Sequence, residues 1–328
     1  MWIGRREAIS FFRIALVAAA LPVSLTVPAH AEFPEKPVRL IVPFAPGGGT
    51  DTIARSLGSL LAKSLGQPVI IENKPGGSTM IGSETVANSP PDGYTLLVAT
   101  LAHAVNPSMQ PKMPYNTEKA FSAVTLIGSS HNVLVVRPDS PFKTVGDIIE
   151  AAKKSPGKYT FASQGSGTSA HLAGELLKNL AQIDLLHIPY RGAGPALTDL
   201  LGGQVDMMFA TNAAVAGFIA NKRLRPIAVT APAGKSKLPG VPTVEETVPG
   251  YVVDSWYALY APAGTPRPII DKIVAAVKVA ALDPDFIKRA EGEGVTLNPS
   301  SPAELDRFVH ADAQRWHKIV TENKIIAD

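Results

Sequence analysis

The sequence predicts an α/β protein with two lobes, each built from a mostly parallel sheet flanked by helices. Short β-rich runs alternate with amphipathic helical segments along the 328 residues, and this alternation is typical of parallel sheets covered by helices. The alternation starts a second time near residue 133. Two long helical patterns close the chain with at most one short strand between them, which indicates that they pack back onto the first sheet.

The first 31 residues have the features of an export signal. Arginines at the start precede an uncharged apolar stretch over residues 14–27, and residues 29–31 have the small–x–small pattern of a cleavage site. The stretch is short for a membrane span. We therefore expect cleavage after Ala31 and an exported protein. Arg5-Arg6 leaves both the general and the twin-arginine export routes open.

Charge and composition exclude several functional classes. Without residues 1–31, which hold three arginines and one glutamate, the formal net charge falls from +3 to +1. No dense basic patch is present, so we expect no nucleic-acid partner. The chain has no cysteine, which excludes disulfides, cysteine zinc sites and thiol nucleophiles. The histidines lack metal-site spacing, so we expect no metal and no cofactor.

The first series of elements lies between residues 38 and 99. An apolar run opens it, and the helix that follows places Ile53, Leu57 and Leu61 along one side at helical spacing. Turns rich in proline and glycine separate the later elements. The sequence predicts strands at 38–44, 69–72 and 94–99, and helices at 50–65 and from residue 79.

The second series predicts the second lobe and the return of the chain. It includes β-rich runs at 133–136, 159–162, 185–189, 205–209 and 226–230, helical patterns at 145–154, after 171 and at 195–201, another β-rich run at 256–261, a short strand at 295–298, and final helices at 268–281 and 302–323. We place the second lobe at 132–250, inserted into a first lobe made of 32–131 and 251–328. Two crossings of one boundary predict a hinge, with a cleft between the lobes.

A glycine-rich turn, Pro46-Gly47-Gly48-Gly49-Thr50-Asp51, joins the first strand to the first helix. The turn lacks the lysine of a Walker A motif, and Thr52 stands where a dinucleotide fingerprint needs glycine or alanine. Free N–H groups at a helix start favour an anion. The negative charge of Asp51 disfavours a polyphosphate there but is tolerable for a single carboxylate with an ammonium or hydroxyl group nearby. A plain tight turn, with Thr50 or Asp51 capping the helix, is the alternative.

A second glycine-rich turn, Gly165-Ser166-Gly167-Thr168-Ser169-Ala170, follows a predicted strand. It fits the dinucleotide pattern, but its place in the middle of an exported chain argues against that ligand. We predict instead a second anion-binding turn opposite the first. Ser166 and His171 do not form a nucleophile elbow, because Gln164 replaces its first glycine. A cleft hydrolase or dehydrogenase stays open as a weaker alternative.

Several ordered motifs resemble one family of transport receptors. They are PVR (37–39), VPFAPGGGTD (42–51), ENKPGG (72–77), PDGYTL (91–96), HLAGE (171–175), PYRGAGP (189–195), GGQVD (202–206) and APAGTP (261–266). Together they span nearly all of the chain after the signal. The chain resembles the periplasmic solute receptors of tripartite tricarboxylate transporters, also called Bug proteins.

The resemblance implies a type II, or Venus-flytrap, periplasmic binding protein that is not an enzyme. It would close on a small organic carboxylate and deliver it to the membrane permease of such a transporter; we expect a monomer. A sensor with a signalling partner is the alternative. The identity of the carboxylate and the direction of the Arg191 side chain stay open. The implied ligand residues are Phe44, Ala45, Pro46, Gly47, Gly48, Gly49, Thr50, Asp51, Thr100, His103, Gly165, Ser166, Gly167, Thr168, Ser169, Ala170, Tyr190, Arg191, Gly192, Thr211 and Asn212.

Overall fold

The computed structural model describes residues 1–2, 33–110, 112–292 and 294–325. The predicted cleavage after Ala31 lies outside these residues. Within the described ranges, none of the helices combines the length and the apolar character that crossing a membrane requires.

The described residues form ten strands and ten helices. The strands are β1 (Val38–Val42), β2 (Val69–Asn73), β3 (Thr95–Thr100), β4 (Phe121–Val136), β5 (Thr160–Ser163), β6 (Leu186–Pro189), β7 (Met207–Thr211), β8 (Arg225–Val229), β9 (Asp254–Pro262) and β10 (Thr296–Leu297). The helices are α1 (Gly49–Leu65), α2 (Met80–Ala87), α3 (Leu101–Met109), α4 (Val145–Lys154), α5 (Ser169–Ala181), α6 (Ala193–Leu201), α7 (Asn212–Ala220), α8 (Arg267–Ala280), α9 (Pro284–Gly292) and α10 (Pro302–Glu322).

One long strand, β4, joins the two halves of the sheet. The strand order is β2-β1-β3-β9-β4-β7-β5-β6, and β8 and β10 also pair with β4. The part of β4 up to His131 pairs with β9 and β10, whereas the part from Asn132 pairs with β7 and β8. We call the strands on the β9 side the first half-sheet and those on the β7 side the second half-sheet.

The α/β class is confirmed, but the sheet is mixed rather than mostly parallel. The strand β1 is parallel to β2 and β3, and β5 is parallel to β6 and β7. All pairings of β4 are antiparallel, and so is that of β3 with β9. The reason is that β4 carries the chain out of the first half-sheet and β9 brings it back. Adjacent outgoing and returning strands run in opposite directions.

Most predicted elements are present, and their packing follows the predicted apolar pattern. The helix predicted at 145–154 has these bounds, and Ile53, Leu57 and Leu61 of α1 are fully buried. The two late helices α8 and α10 contact α1 and α3, as predicted for helices that return to the first half-sheet. Three helices, α3, α7 and α9, were not predicted, and β4 extends far before the run at 133–136.

Helices begin directly after the carboxyl ends of strands in both half-sheets. In the first half-sheet α1 follows β1 and α3 follows β3; in the second, α5, α6 and α7 follow β5, β6 and β7. The carboxyl ends of parallel strands share one edge of a sheet, and ligands of open α/β sheets bind outside that edge. The fold therefore gathers helix N-termini from both half-sheets into one region.

Candidate functional site

The first glycine turn, residues 44–51, contacts the second half-sheet directly. The N–H of Ala45 donates a hydrogen bond to the carbonyl of Arg191, with an N···O distance of 3.0 Å. A Cβ on Gly192 would lie 3.0 Å from the Cβ and the N of Ala45. Gly192 also has a φ of +149°, which side chains rarely adopt. Glycine at this position lets the two backbones approach each other.

A second contact joins the start of α1 to the end of β7. A Cβ on Gly49 would lie 2.6 Å from Oγ1 of Thr211 and 3.3 Å from the hydroxyl of Tyr257. Thr211 is buried, and its Oγ1 has no hydrogen-bond partner among the described residues. Within the same residues, no side chain caps the start of α1. A hydroxyl beside an uncapped helix N-terminus is a favourable environment for an anion.

Further buried polar atoms that lack a partner in the described ranges lie where elements of the two half-sheets meet. They include Nδ2 of Asn132 and Oδ1 of Asn106. Asn132 is paired with Thr211 in the sheet, and its Oδ1 accepts a hydrogen bond of 3.3 Å from the hydroxyl of Ser169. A Cβ on Gly167 would lie 2.6 Å from Oδ1 of Asn106. Buried polar groups are rarely left unsatisfied in folded proteins, so their concentration between the two half-sheets indicates a ligand-binding site.

The second glycine turn, residues 165–170, is held by its own hydrogen bonds. The hydroxyl of Thr168 donates to the carbonyl of Gly165 over 2.6 Å and accepts from the N–H of His171 at the start of α5. Nδ1 of His171 accepts from the N–H of Gly167 over 3.2 Å. Burial, with smaller effects of His187 and Lys178, lowers the pKa of His171 to about 2. The neutral imidazole thus braces this turn.

The carboxylate of Asp51 stabilises the first glycine turn. One carboxylate oxygen accepts from the N–H of Gly47 at 3.0 Å and from Nε of Arg55 at 2.9 Å, and the other accepts from Nδ2 of Asn73 at 2.9 Å. Burial opposes ionisation of this carboxyl, but the hydrogen bonds from Arg55, Gly47 and Asn73 prevail and lower its pKa. The alternative in which Thr50 or Asp51 caps α1 is wrong, because Gly48 occupies the N-cap position. The carboxylate of Asp51 instead fixes the loop before it.

We expect Asp51→Asn to destabilise the fold by about 1–2 kcal/mol at neutral pH, because a charge-assisted network loses its charge. A lowered pKa stabilises the native state above the unfolded-state value of about 3.9, and this stabilisation is lost as pH falls through the folded-state value. The variant should therefore lose less stability than the wild type between pH 5 and about 3. Urea unfolding at both pH values measures this difference.

Asp271→Asn is the matched control, since Asp271 forms an exposed ion pair with Arg267 on α8. Such pairs contribute little to stability, and we expect almost no change in the free energy of unfolding. Equal effects of the two substitutions would contradict the bracing role of Asp51.

Several other residues from the sequence prediction lie at or near the contact between the half-sheets. Thr100 is buried at the start of α3 and is paired with Tyr257 in the sheet. Gly48 lies near Ala193, since its added Cβ would be 3.4 Å from the Cβ of that residue. The structure also buries the predicted residues Phe44, Gly49, Ser166, Ser169, Ala170 and Thr211.

Four predicted residues have other surroundings. The Tyr190 hydroxyl donates to Asp199 over 2.7 Å, and the side chain of Arg191 is exposed. Asn212 lies against Gly294, where an added Cβ would be 2.4 Å from its Nδ2. His103, a residue of α3, packs on Phe121 and Tyr260. The sequence prediction did not include Asn106, Asn132 or Tyr257. Asn106 and Tyr257 are polar groups within mainly apolar runs, whereas Asn132 ends the polar segment 128–132.

Comparison with known proteins gives matches to one family of receptors and to periplasmic binding proteins. Residues 53–325 match the model of the tripartite tricarboxylate transporter family receptor. The periplasmic binding protein BugD has a similar structure, with a TM-score of 0.86, 33% identity and coverage of 90% of this chain and 100% of its own.

Two similar structures contain small acids. A protein of R. palustris solved with adipate has a TM-score of 0.87 and 30% identity, over 90% of this chain and 99% of its own. MatC from Rhodopseudomonas palustris, solved with bound malate, has a TM-score of 0.84 and 33% identity, over 88% of this chain and 100% of its own.

Proposed function

The chain belongs to the receptor family of tripartite tricarboxylate transporters, and we propose that it captures a small organic carboxylate between its two half-sheets. This family consists of solute-binding receptors and not of enzymes. We further propose that the protein acts in the periplasm, as a monomer, and delivers the ligand to the membrane permease of such a transporter. The two related structures with adipate and malate support a carboxylate as the ligand.

The observation that carries this proposal is the group of buried polar atoms at the contact between the half-sheets. The hydroxyl of Thr211 and the amide nitrogen of Asn132 lack partners among the described residues, and the uncapped start of α1 lies next to them. All these groups can donate hydrogen bonds without carrying a charge. Together they suit a carboxylate that is bound by N–H and O–H groups.

The position of Arg191 is consistent with a site whose hydrogen-bond donors are uncharged. Its guanidinium is exposed, whereas its backbone carbonyl accepts the hydrogen bond from Ala45. We propose that Arg191 acts through its backbone and not as a bidentate partner of the ligand. The sequence left open whether the Arg191 side chain points toward the ligand or toward solvent. Its exposure supports the solvent-facing orientation.

We propose that binding is coupled to closure of two lobes, 32–131 with 251–328 and 132–250, about the strands β4 and β9. Contacts such as that of Ala45 with Arg191 exist only when the half-sheets meet. A ligand that contacts both half-sheets shifts the population toward this closed arrangement. The proposed ligand residues are Gly48, Gly49, Thr100, Asn106, Asn132, Ser166, Ser169, Thr211 and Tyr257.

A panel of C3 to C6 mono-, di- and tricarboxylates should identify ligands by a rise in melting temperature. A ligand at one hundred times its Kd stabilises the native state by about 2.7 kcal/mol, which corresponds to a rise of roughly 4 °C for a chain of this size. Uncharged amides of the same acids serve as controls and should give no shift. Stabilisation by a nucleotide and by none of the acids would overturn the proposal.

A further inference from the structure

A second cavity lies behind α3, within the first half-sheet. Its volume is about 930 Å³, and it is lined by α3, residues 113–121, Tyr260 of β9 and one face of α10. Small-molecule sites in proteins range from about 300 to 1,000 Å³ and are mostly apolar with a few placed polar groups. None of the residues at the contact between the half-sheets lines it. The helix α3 separates this cavity from the proposed carboxylate site, because its Asn106 faces Gly167 while His103 lines the cavity.

Aromatic rings form the inner wall of this cavity. The ring centroids of His103 and Phe121 are 5.0 Å apart at an interplanar angle of 75°, and those of His103 and Tyr260 are 4.5 Å apart. Tyr115 meets Phe121 edge to face, with centroids 5.4 Å apart. Ring edges and faces arranged in this way offer favourable geometry to a further aromatic ring.

A buried polar group in this wall lacks a partner. His103 is only 5% exposed, and its Nδ1 has no hydrogen-bond partner among the residues that the structure describes. Oγ1 of Thr117, also in the lining, is buried and unpartnered within the same ranges. Burial lowers the pKa of His103 to about 4, so the imidazole is neutral at neutral pH. A neutral imidazole has one N–H donor and one acceptor nitrogen, and a ligand hydroxyl can satisfy either tautomer.

The charged side chains that line this cavity disfavour a negatively charged ligand. Asp306 and Glu118 contribute two carboxylates, and Arg307 contributes the only guanidinium among the described lining residues. Burial raises the pKa of Asp306, because the surroundings disfavour its carboxylate form. The remaining titratable side chains of the lining are His310, His317 and the tyrosines. The cavity therefore has a different ligand preference from the proposed carboxylate site.

We propose that this cavity is a second binding site, for a small uncharged hydroxylated aromatic molecule of the phenol class. The ring of the ligand lies against Phe121 and Tyr260, and its hydroxyl hydrogen-bonds with His103. This inference is independent of the carboxylate site and does not require the two half-sheets to move.

Titration of the full chain with phenol, toluene and benzoate, followed by ligand-observed NMR and calorimetry, tests the inference. Phenol should bind saturably at one site, toluene about tenfold more weakly because it lacks the hydroxyl, and benzoate not at this site. His103→Leu should weaken phenol binding about tenfold and leave toluene binding unchanged. The absence of saturable phenol binding, or an unchanged phenol affinity in His103→Leu, would overturn the inference.

Two further variants keep the test decisive if His103→Leu does not fold. Ala313→Phe extends a ring from α10 into the cavity and should abolish phenol binding, with the circular dichroism spectrum unchanged. Gly49→Leu, at the carboxylate site, should leave phenol binding unchanged. Retained binding in Ala313→Phe, or loss of phenol binding in Gly49→Leu, would show that phenol binds elsewhere and would overturn the inference.

Discussion

Replacement of Gly49 by leucine is expected to weaken carboxylate binding at least 100-fold, or by about 2.7 kcal/mol. Even a single Cβ at this position would lie 2.6 Å from Oγ1 of Thr211 and 2.8 Å from Cβ of Ala213, so the side chain would hold the start of α1 away from β7. Its atoms would also occupy the space beside the proposed carboxylate donors. Titration calorimetry with the tightest acid of the panel measures the loss.

Gly217→Leu is the matched control for this substitution. Gly217 lies inside α7, and a Cβ on it would meet no heavy atom within 4 Å. Both variants replace a glycine of a helix by leucine, and urea unfolding establishes that each variant is folded before the affinities are compared. Wild-type affinity in Gly49→Leu, or an equal loss in Gly217→Leu, would contradict a ligand site at the start of α1.

Thr211→Val is expected to weaken carboxylate binding by about 1.5–3 kcal/mol, because hydrogen bonds to charged groups have this value. The substitution preserves the shape of the side chain and removes only its hydroxyl. This hydroxyl is buried without a partner among the described residues, so its loss should leave the stability of the ligand-free protein unchanged or slightly higher. Calorimetry and urea unfolding measure the two effects separately.

Thr125→Val should have the opposite pair of effects. The hydroxyl of Thr125 donates to the carbonyls of Leu126 and Ser300 over 2.9 and 2.8 Å, and it accepts from the N–H of Ser300. Its removal should cost about 1–3 kcal/mol of stability, since it leaves buried partners unsatisfied, while the carboxylate affinity stays constant. If Thr211→Val lost stability and kept its affinity, the hydroxyl would be structural and the proposed ligand contact would be wrong.

The sequence predicts the amphipathic helix α1 well and the uniformly buried helix α3 poorly. The helix α1 was predicted from one apolar stripe, whereas every residue of α3 from Leu101 to Asn106 is buried and shows no such stripe. Pro107 inside α3 also argued against a helix there. Most of β4 was not predicted, because the polar segment 128–132 interrupts its apolar pattern. A strand that passes between two half-sheets does not remain apolar throughout.

The candidate site shows the same division between local and tertiary information. Glycines in the sequence marked the close approaches: the backbone of Ala45 lies against Gly192, and the side chains of Thr211 and Ala213 lie against Gly49. Oδ1 of Asn106 and Nδ2 of Asn132, which lack partners among the described residues, come from an unpredicted helix and from the crossing of β4. Their role depends on which strands become neighbours, and residue spacing along the chain does not contain that information.

The pairing of β4 with β9 makes the segment between them removable in principle. His131 and Asp254 are directly opposite each other in the antiparallel pair, so the chain departs from the first half-sheet and re-enters it at adjacent points. Two antiparallel strands can be joined by a turn of about two residues. Deleting 132–253 and inserting such a turn would convert β4 and β9 into an ordinary hairpin without altering the connectivity of the other strands in the first half-sheet. In topological terms, the second half-sheet is inserted into the loop of a hairpin formed by β4 and β9.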